Sequence, residues 1–231
     1  MKRGKLIVIE GTDSSGKETQ TKILVKRLNS ENIPCKTRSF PRYQTPAGRI
    51  VGQCYLGKSG IGEGDIAWFG NPDKVDPKIA CLYYAGDRRA ATPEIERILS
   101  SGTNLASDRY YQANQGHQGG KIRTKNGREK MFRWIEKLEL ELLEIPKEDI
   151  TIFLYVPTNV AIELRKKRDQ KKPIKLDGHE GNIEHLKRAE KAYLELNKMY
   201  NWKKIDCAPN NKMRSLEDIS NEIYKHVKEI I

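Results

Sequence analysis

The segment Lys5-Leu6-Ile7-Val8-Ile9-Glu10 runs directly into Gly11-Thr12-Asp13-Ser14-Ser15-Gly16-Lys17-Glu18-Thr19, so a short apolar strand delivers a glycine-rich turn that ends in a lysine. This is G-x-x-x-x-G-K at a strand-to-helix junction. Glycines let the backbone wrap an anion with its N–H groups, the helix behind adds its positive end, and the lysine reaches the outer phosphates. The helix is present as the amphipathic run Lys22-Ile23-Leu24-Val25-Lys26-Arg27-Leu28. A plain turn closing a βα unit does not explain a lysine at the helix start, where the dipole disfavours a cation unless an anion is bound. The pattern predicts a phosphate loop over Gly11, Thr12, Asp13, Ser14, Ser15, Gly16, Lys17, Glu18 and Thr19. One position departs from the usual loop: the hydroxyl residue that meets magnesium is replaced by Glu18, and the first hydroxyl follows at Thr19.

A chain of 231 residues holds one domain with a core of ordinary size, and a single domain over 1–231 is expected. Its longest apolar runs, such as 6–9 and 152–156, fall far below the roughly 20 residues of a membrane span. No signal-peptide core follows Met1-Lys2-Arg3, so a cytoplasmic protein is expected. Cys35, Cys54, Cys81 and Cys207 are scattered without a C-x-x-C pair and read as buried, reduced small residues. The net charge of +12, from 43 basic and 31 acidic residues, favours polyanionic partners. Its densest block is Arg165-Lys166-Lys167-Arg168 with Lys171, Lys172 and Lys175. Such a block is either a solvated face or a phosphate-facing element.

Apolar runs at 5–10, 35–40, 104–108, 149–156 and 203–207 alternate with helical patterns, which predicts an α/β fold with a five-stranded parallel sheet flanked by helices. Residues 128–144 carry Phe132, Ile135, Leu138 and Leu142 at helical spacing, closed by Pro146. Residues 181–200 and 216–231 read as two further helices, the second capped by Ser215. Residues 57–77, rich in Gly, Pro and Asp, read as a long loop.

Ligands bind at the carboxyl ends of strands in open α/β sheets. Phe40-Pro41-Arg42-Tyr43 follows the second strand, Tyr83-Tyr84-Ala85-Gly86-Asp87-Arg88 lies on the helix before the third, and Asp108-Arg109-Tyr110-Tyr111 ends the third. Each segment sets an arginine beside an aromatic ring. Arginine grips phosphate with two parallel bonds and a ring stacks on a base, so the set suits a nucleoside monophosphate. Asp108, ending an apolar strand, is the position from which a phosphate-loop enzyme holds magnesium directly or through water.

These motifs, with the trailing Asn114-Gln115-Gly116-His117-Gln118-Gly119, resemble the thymidylate kinases among the P-loop nucleoside-monophosphate kinases. The resemblance covers essentially the whole chain and implies a P-loop NTPase three-layer fold with a short mobile lid at about 158–180. It implies an ATP-dependent kinase that converts dTMP to dTDP with Mg²⁺ and works as a homodimer. The short apolar runs argue against a membrane partner, and the lack of base-reading aromatics outside the pocket argues against nucleic acid. By the same resemblance Phe40 and Arg42 border the acceptor site, Tyr84 stacks on thymine, and Arg88 and Arg109 hold the acceptor phosphate and base. Asn114 and Gln118 line the deoxynucleoside pocket, Asp13 faces the sugar 3′-hydroxyl, and His117 crowds the ribose 2′ position. Relatives carry a catalytic arginine either in the phosphate loop or in the lid. This loop has none, so Arg165 and Arg168 of the lid are the expected catalytic cations beside Lys17. Two positions depart from the pattern: Arg42 directly follows the proline, with Tyr43 where many relatives place arginine, and Ala113 replaces a common serine. Glu18 is expected to point outward, with magnesium held through water and Asp108 and with Thr19 on an α-phosphate oxygen. Two other readings remain open. One is a deoxynucleoside or deoxynucleotide kinase of different base preference, and the other a nucleic-acid-binding P-loop protein that uses the lysine-rich block.

Overall fold

A computed structural model describes residues 2–58, 67–171 and 182–231, those at 168–171 by backbone only. Strands β1 (Leu6–Gly11), β2 (Cys35–Ser39), β3 (Asn104–Asp108), β4 (Ile150–Tyr155) and β5 (Lys203–Asp206) form one sheet in the order β2-β3-β1-β4-β5. Every neighbouring pair is parallel. The helices are α1 (Lys17–Ser30), α2 (Pro46–Arg49), α3 (Pro77–Ser100), α4 (Tyr111–Gly119), α5 (Lys125–Glu136), α6 (Thr158–Lys171), α7 (Ile183–Tyr200) and α8 (Leu216–Lys228).

Alternation along β1 explains the layering, because successive side chains leave a strand on opposite faces. Ile7 and Ile9 pack with Leu24 and Leu28 of α1 and Ile219, Ile223 and Val227 of α8. Leu6 and Val8 pack on the other face with Ile95 and Leu99 of α3 and Met131 and Ile135 of α5. Both faces are covered, so the strand reads as an unbroken apolar run, as parallel strands do. The three-layer α/β fold and its five strands therefore match the sequence expectation.

The local differences have identifiable causes. The helix expected over 128–144 is α5 followed by a π-helical turn, Lys137–Leu142. The extra residue per turn changes which side chains face inward. Leu140 packs against the core and Leu142, expected on the apolar face, is 66% exposed, while Glu139 stays fully buried in step with Phe132 and Ile135. Cys54 is only half-buried, whereas Cys35, Cys81 and Cys207 are buried as expected. Residues 57–77 end in Asp76, whose side chain caps α3 by accepting from the backbone of Lys78 and Ile79, with Pro77 fitted to the first helical position. Residues 59–66 of that stretch lie outside the described residues. Ser215 caps α8 as expected. Helix α6 fills the first part of the expected lid, and its remainder, 172–180, also lies outside the described residues.

Candidate active site

β1 and β3 are paired with Ile9 opposite Asp108, so the phosphate loop and Asp108-Arg109 leave the sheet side by side. The loop needs glycine at both ends. A Cβ at Gly11 would lie 2.6 Å from the Leu154 carbonyl oxygen, and Gly16 takes φ +86°, a conformation that side chains with a Cβ disfavour. Lys17 opens α1, and its Nζ donates to the Thr12 carbonyl at 2.7 Å. Burial and the neighbouring Arg109 charge pull the Lys17 pKa down to about 8, against the opposing pull of Asp13, Asp108 and Glu10. Ser14 adopts φ +61°. Thr19 is exposed at the start of α1.

Glu18 is also exposed there and pairs with Lys22 one turn later at 2.5 Å. It borders a cleft of ≈ 460 Å³ shared with Ser39, Arg42 and Asp108. Asp108 itself is buried. Its Oδ2 accepts from the Ser39 hydroxyl at 3.4 Å, and its Oδ1 has no partner among the described residues. Such an atom must find a hydrogen bond or a cation to offset its lost hydration.

Arg109 connects the loop to the neighbouring pocket. Its backbone takes φ +66°, rare outside glycine, and is held by its N–H on the Ile9 carbonyl at 3.1 Å. One arm of its guanidinium pairs with Asp13, and the other donates to His117 Nε2 at 3.2 Å. Burial opposes ionisation of Asp13, yet the Arg109 guanidinium, with Lys17, holds its carboxyl well below the ordinary range. Beneath this pair sits Glu10, fully buried, accepting from the Tyr110 backbone at 2.8 Å and from the Tyr193 hydroxyl at 3.0 Å. Burial raises the Glu10 pKa despite the nearby cations.

The pocket encloses ≈ 280 Å³ and brings together Asp13, Phe40, Tyr84, Arg88, Arg109, Asn114, His117 and Gln118, all expected from the sequence. Tyr84 stands edge-on to Tyr55 at 5.7 Å, and the Phe40 ring lies 5.7 Å from that of Tyr110. Gln118 donates to the Tyr55 hydroxyl at 3.2 Å and leaves a buried Oε1 with no donor among the described residues. Arg88 forms part of the pocket wall, but its guanidinium is committed to Glu139, delivered by the π-helical turn. Burial disfavours the Arg88 cation, and the Glu139 carboxylate more than compensates, raising its pKa. Asn114 donates to the same carboxylate at 3.3 Å.

Arg42 is the expected residue that the pocket does not gather. It is held by Asp87, with Nε to Oδ1 at 3.0 Å, its backbone N–H to Oδ2 at 2.7 Å, and the Asp87 carbonyl accepting from the guanidinium at 2.8 Å. Tyr43 lines the pocket in its stead, with the Lys58 ammonium 4.9 Å above its ring. Arg165 lies on α6, half-buried, and the side chain of Arg168 lies outside the described residues.

Sequence reading missed Glu10, Tyr43, Lys58, Asp87, Glu139 and His185. Glu10 carried a usable signal, a carboxylate inside an otherwise apolar strand. Glu139 carried one too, a carboxylate four residues after Ile135 and seven after Phe132, on the apolar face of the expected helix. No helix among the described residues is long and apolar enough to cross a membrane, and these residues hold no cluster of three or more metal-ligating side chains.

Comparison with known proteins agrees with this geometry. The family profile described as thymidylate kinase matches residues 9–223. A thymidylate kinase of Prochlorococcus marinus is 30% identical over 98% of this chain and 99% of its own length. One from Plasmodium falciparum is 28% identical over 99% of this chain and 92% of its own length. A solved structure of the Candida albicans thymidylate kinase superposes with a TM-score of 0.71 over 98% of this chain and 92% of its own, at 21% identity, and thus shares the fold. On the breadth of the profile match and the near-full-length relatives, the chain belongs to the thymidylate kinase family.

Proposed function

We propose that the chain transfers the γ-phosphoryl group of ATP to dTMP, giving ADP and dTDP. The observation that carries this reading is Arg109, whose guanidinium joins a carboxylate of the phosphate loop to the wall of a pocket lined by rings and amides. A donor bound on the loop and an acceptor bound in the pocket then meet across Arg109. A phosphate oxygen of dTMP attacks the γ-phosphorus as the bond to the ADP oxygen breaks, and no protein group need become covalently attached. Lys17 and the loop N–H groups balance charge on the donor, and Arg109 does so at the acceptor phosphate. Tyr84 offers a face to the base, and the unpartnered Gln118 Oε1 suits a base that presents an N–H, as thymine does. Asp13 takes the sugar 3′-hydroxyl and His117 stands at the 2′ side.

Mg²⁺ fits this site through Asp108, whose buried Oδ1 lacks a partner among the described residues. Held by Asp108, the ion would supply positive charge against the donor phosphates. With Glu18 turned to Lys22, one carboxylate with bound water suits a cation that keeps much of its hydration shell. The assignment of 158–180 as a lid and of Arg165 and Arg168 as the cations for the transferring group belongs to the same proposal. So do cytoplasmic residence and a homodimer. For the dimer, the candidate surfaces are the apolar faces between 79 and 99 and between 132 and 142, and on the second Phe132 and Ile135 are unsuited because both are fully buried in this chain's own core. The exposed Ile79 and Leu82 of α3 remain, with open space beside Gly86 one turn on.

Five measurements check this reading. Coupled ADP release across dTMP, dUMP, dCMP, dGMP and AMP should favour dTMP, and preference for another monophosphate transfers the assignment to that base. Arg109→Ala should lose about 2–4 kcal/mol of transition-state stabilisation, whereas weakened ATP binding with intact dTMP turnover would place Arg109 on the donor side. The Lys17 ammonium is present below its pKa of about 8 and is lost above it. ATP affinity measured by titration should therefore hold up to about pH 8 and then fall towards tenfold per unit, and Lys17→Ala should abolish that slope. Removing the working lid arginine should lower kcat by roughly 10³ to 10⁵ with little change in dTMP binding. Turnover within about threefold of wild type for Arg165→Ala, Arg168→Ala and the double variant would leave the block as a solvated basic face. Sedimentation should give a dimer at micromolar concentration, and a fully active monomer would remove the α3 interface.

A further inference from the structure

The Arg109 arm that reaches His117 does not end there. His117 Nδ1 lies 3.2 Å from His185 Nε2, with the two rings only 12° from coplanar. His185 Nδ1 in turn lies 3.4 Å from Asp73 Oδ1. Asp73 sits in the segment before α3, and His185 in the first turn of α7, buried with 1% of its side chain exposed. Asn182, the cap of α7, accepts from the His185 backbone at 3.1 Å and donates to Asp73 Oδ2 at 2.5 Å. Lys121, whose Nζ donates to the Pro72 carbonyl at 2.7 Å, keeps a cation beside the Asp73 carboxylate.

The ends of this row fix its proton arrangement. A guanidinium has only donors and a carboxylate only acceptors. His117 Nε2 faces Arg109 and must accept, so a neutral His117 carries its proton on Nδ1 and gives it to His185. His185 Nε2 must then be bare, and its proton stands on Nδ1, facing Asp73. Neither ring can carry a second proton while the row is intact, since an added proton at either Nε2 sets donor against donor. One unidirectional chain results, Arg109 to His117 to His185 to Asp73, and it fixes the guanidinium that holds Asp13.

We propose that Asp73 and His185 are positioning residues that orient His117, and through it Arg109, at the acceptor pocket. Neither belongs to the phosphate loop or to the pocket lining, and His185 meets that lining through His117. The effect on dTMP rests on the functional reading above, while the proton arrangement does not.

Two measurements on the full-length chain test this. In long-range ¹H–¹⁵N spectra of ¹⁵N-histidine-labelled protein near neutral pH, with His117→Asn and His185→Asn giving the assignments, both rings should carry their proton on Nδ1 alone. A proton on Nε2 of His117, or a doubly protonated ring, overturns the chain. By calorimetry, Asp73→Ala and His185→Ala should each weaken dTMP binding about tenfold and leave ATP affinity within about twofold, and Asp73→Asn, whose amide oxygen still accepts, should recover most of the loss. Lys74→Ala, an exposed neighbour, should leave both affinities unchanged. Unaltered dTMP affinity in both alanine variants overturns the positioning role even if the tautomers are as stated. Equal weakening of ATP and dTMP binding overturns it too, because it marks a general loss of structure. Should Asp73→Ala fail to fold by circular dichroism, His185→Ala and the wild-type spectrum decide. A wild-type chain that binds no dTMP removes the functional reading, and the spectra then judge the chain alone.

Discussion

The contact on which the site depends is the pair between Arg109 and Asp13. Five ionisable groups crowd the carboxyl ends of β1 and β3: Glu10, Asp13 and Asp108 against Lys17 and Arg109. A charge moved from water into such a crevice costs several kcal/mol unless it is matched and hydrogen-bonded. Arg109 supplies the match for Asp13 directly and for Glu10 through space, which is why its own pKa stands well above the ordinary arginine value despite burial. The positive φ of Arg109 is the backbone strain required to aim it there, and the parallel register of β1 with β3 sustains that strain.

A second buried pair serves the pocket from behind. Arg88 and Glu139 are both almost wholly inaccessible, and Asn114 shares the same carboxylate. Removing either charge would leave the other stranded, whereas the pair together contributes little net stability. Its value lies in geometry, because it fixes one wall of the pocket to the π-helical turn after α5. Arg42 and Asp87 act alike on the opposite wall, tying the Phe40-Pro41 turn to α3 and turning Tyr43 and Phe40 inward. An arginine that the sequence offers as a phosphate ligand is here the anchor of the loop that carries the pocket's rings.

These pairs also explain how the two substrate regions are separated. The phosphate loop offers mostly backbone N–H groups and one lysine, a surface without shape preference beyond charge. The pocket offers rings, amides and committed ion pairs, which discriminate by shape and by hydrogen-bond direction. Arg109 belongs to both, and the histidine row behind it reaches from the pocket to the start of α7.

Much of this was legible in the sequence because it rests on local rules. The G-x-x-x-x-G-K turn after an apolar strand, the five apolar runs and the Ser215 cap each depend on residues adjacent in the chain, and each appears where expected. Phe40, Tyr84, Arg88, Arg109, Asn114, His117 and Gln118 were legible through the family resemblance, with strand-end position marking the segments that carry them. Tertiary structure alone decided which of their charges remain available. Whether Arg42 faces a ligand or Asp87, and whether Arg88 stands free or pairs with Glu139, depends on partners 45 and 51 residues away. Glu139 lies on the inward face of its helix, in step with Phe132 and Ile135, but only the fold brings Arg88 to it. His185 and Asp73 meet across 112 residues, a distance over which no local pattern carries information. The sequence by itself determined where an anion can bind, since that needs only a turn and a helix end; the direction of each long side chain was decided by the fold, because a buried charge takes whichever partner the packing brings within reach.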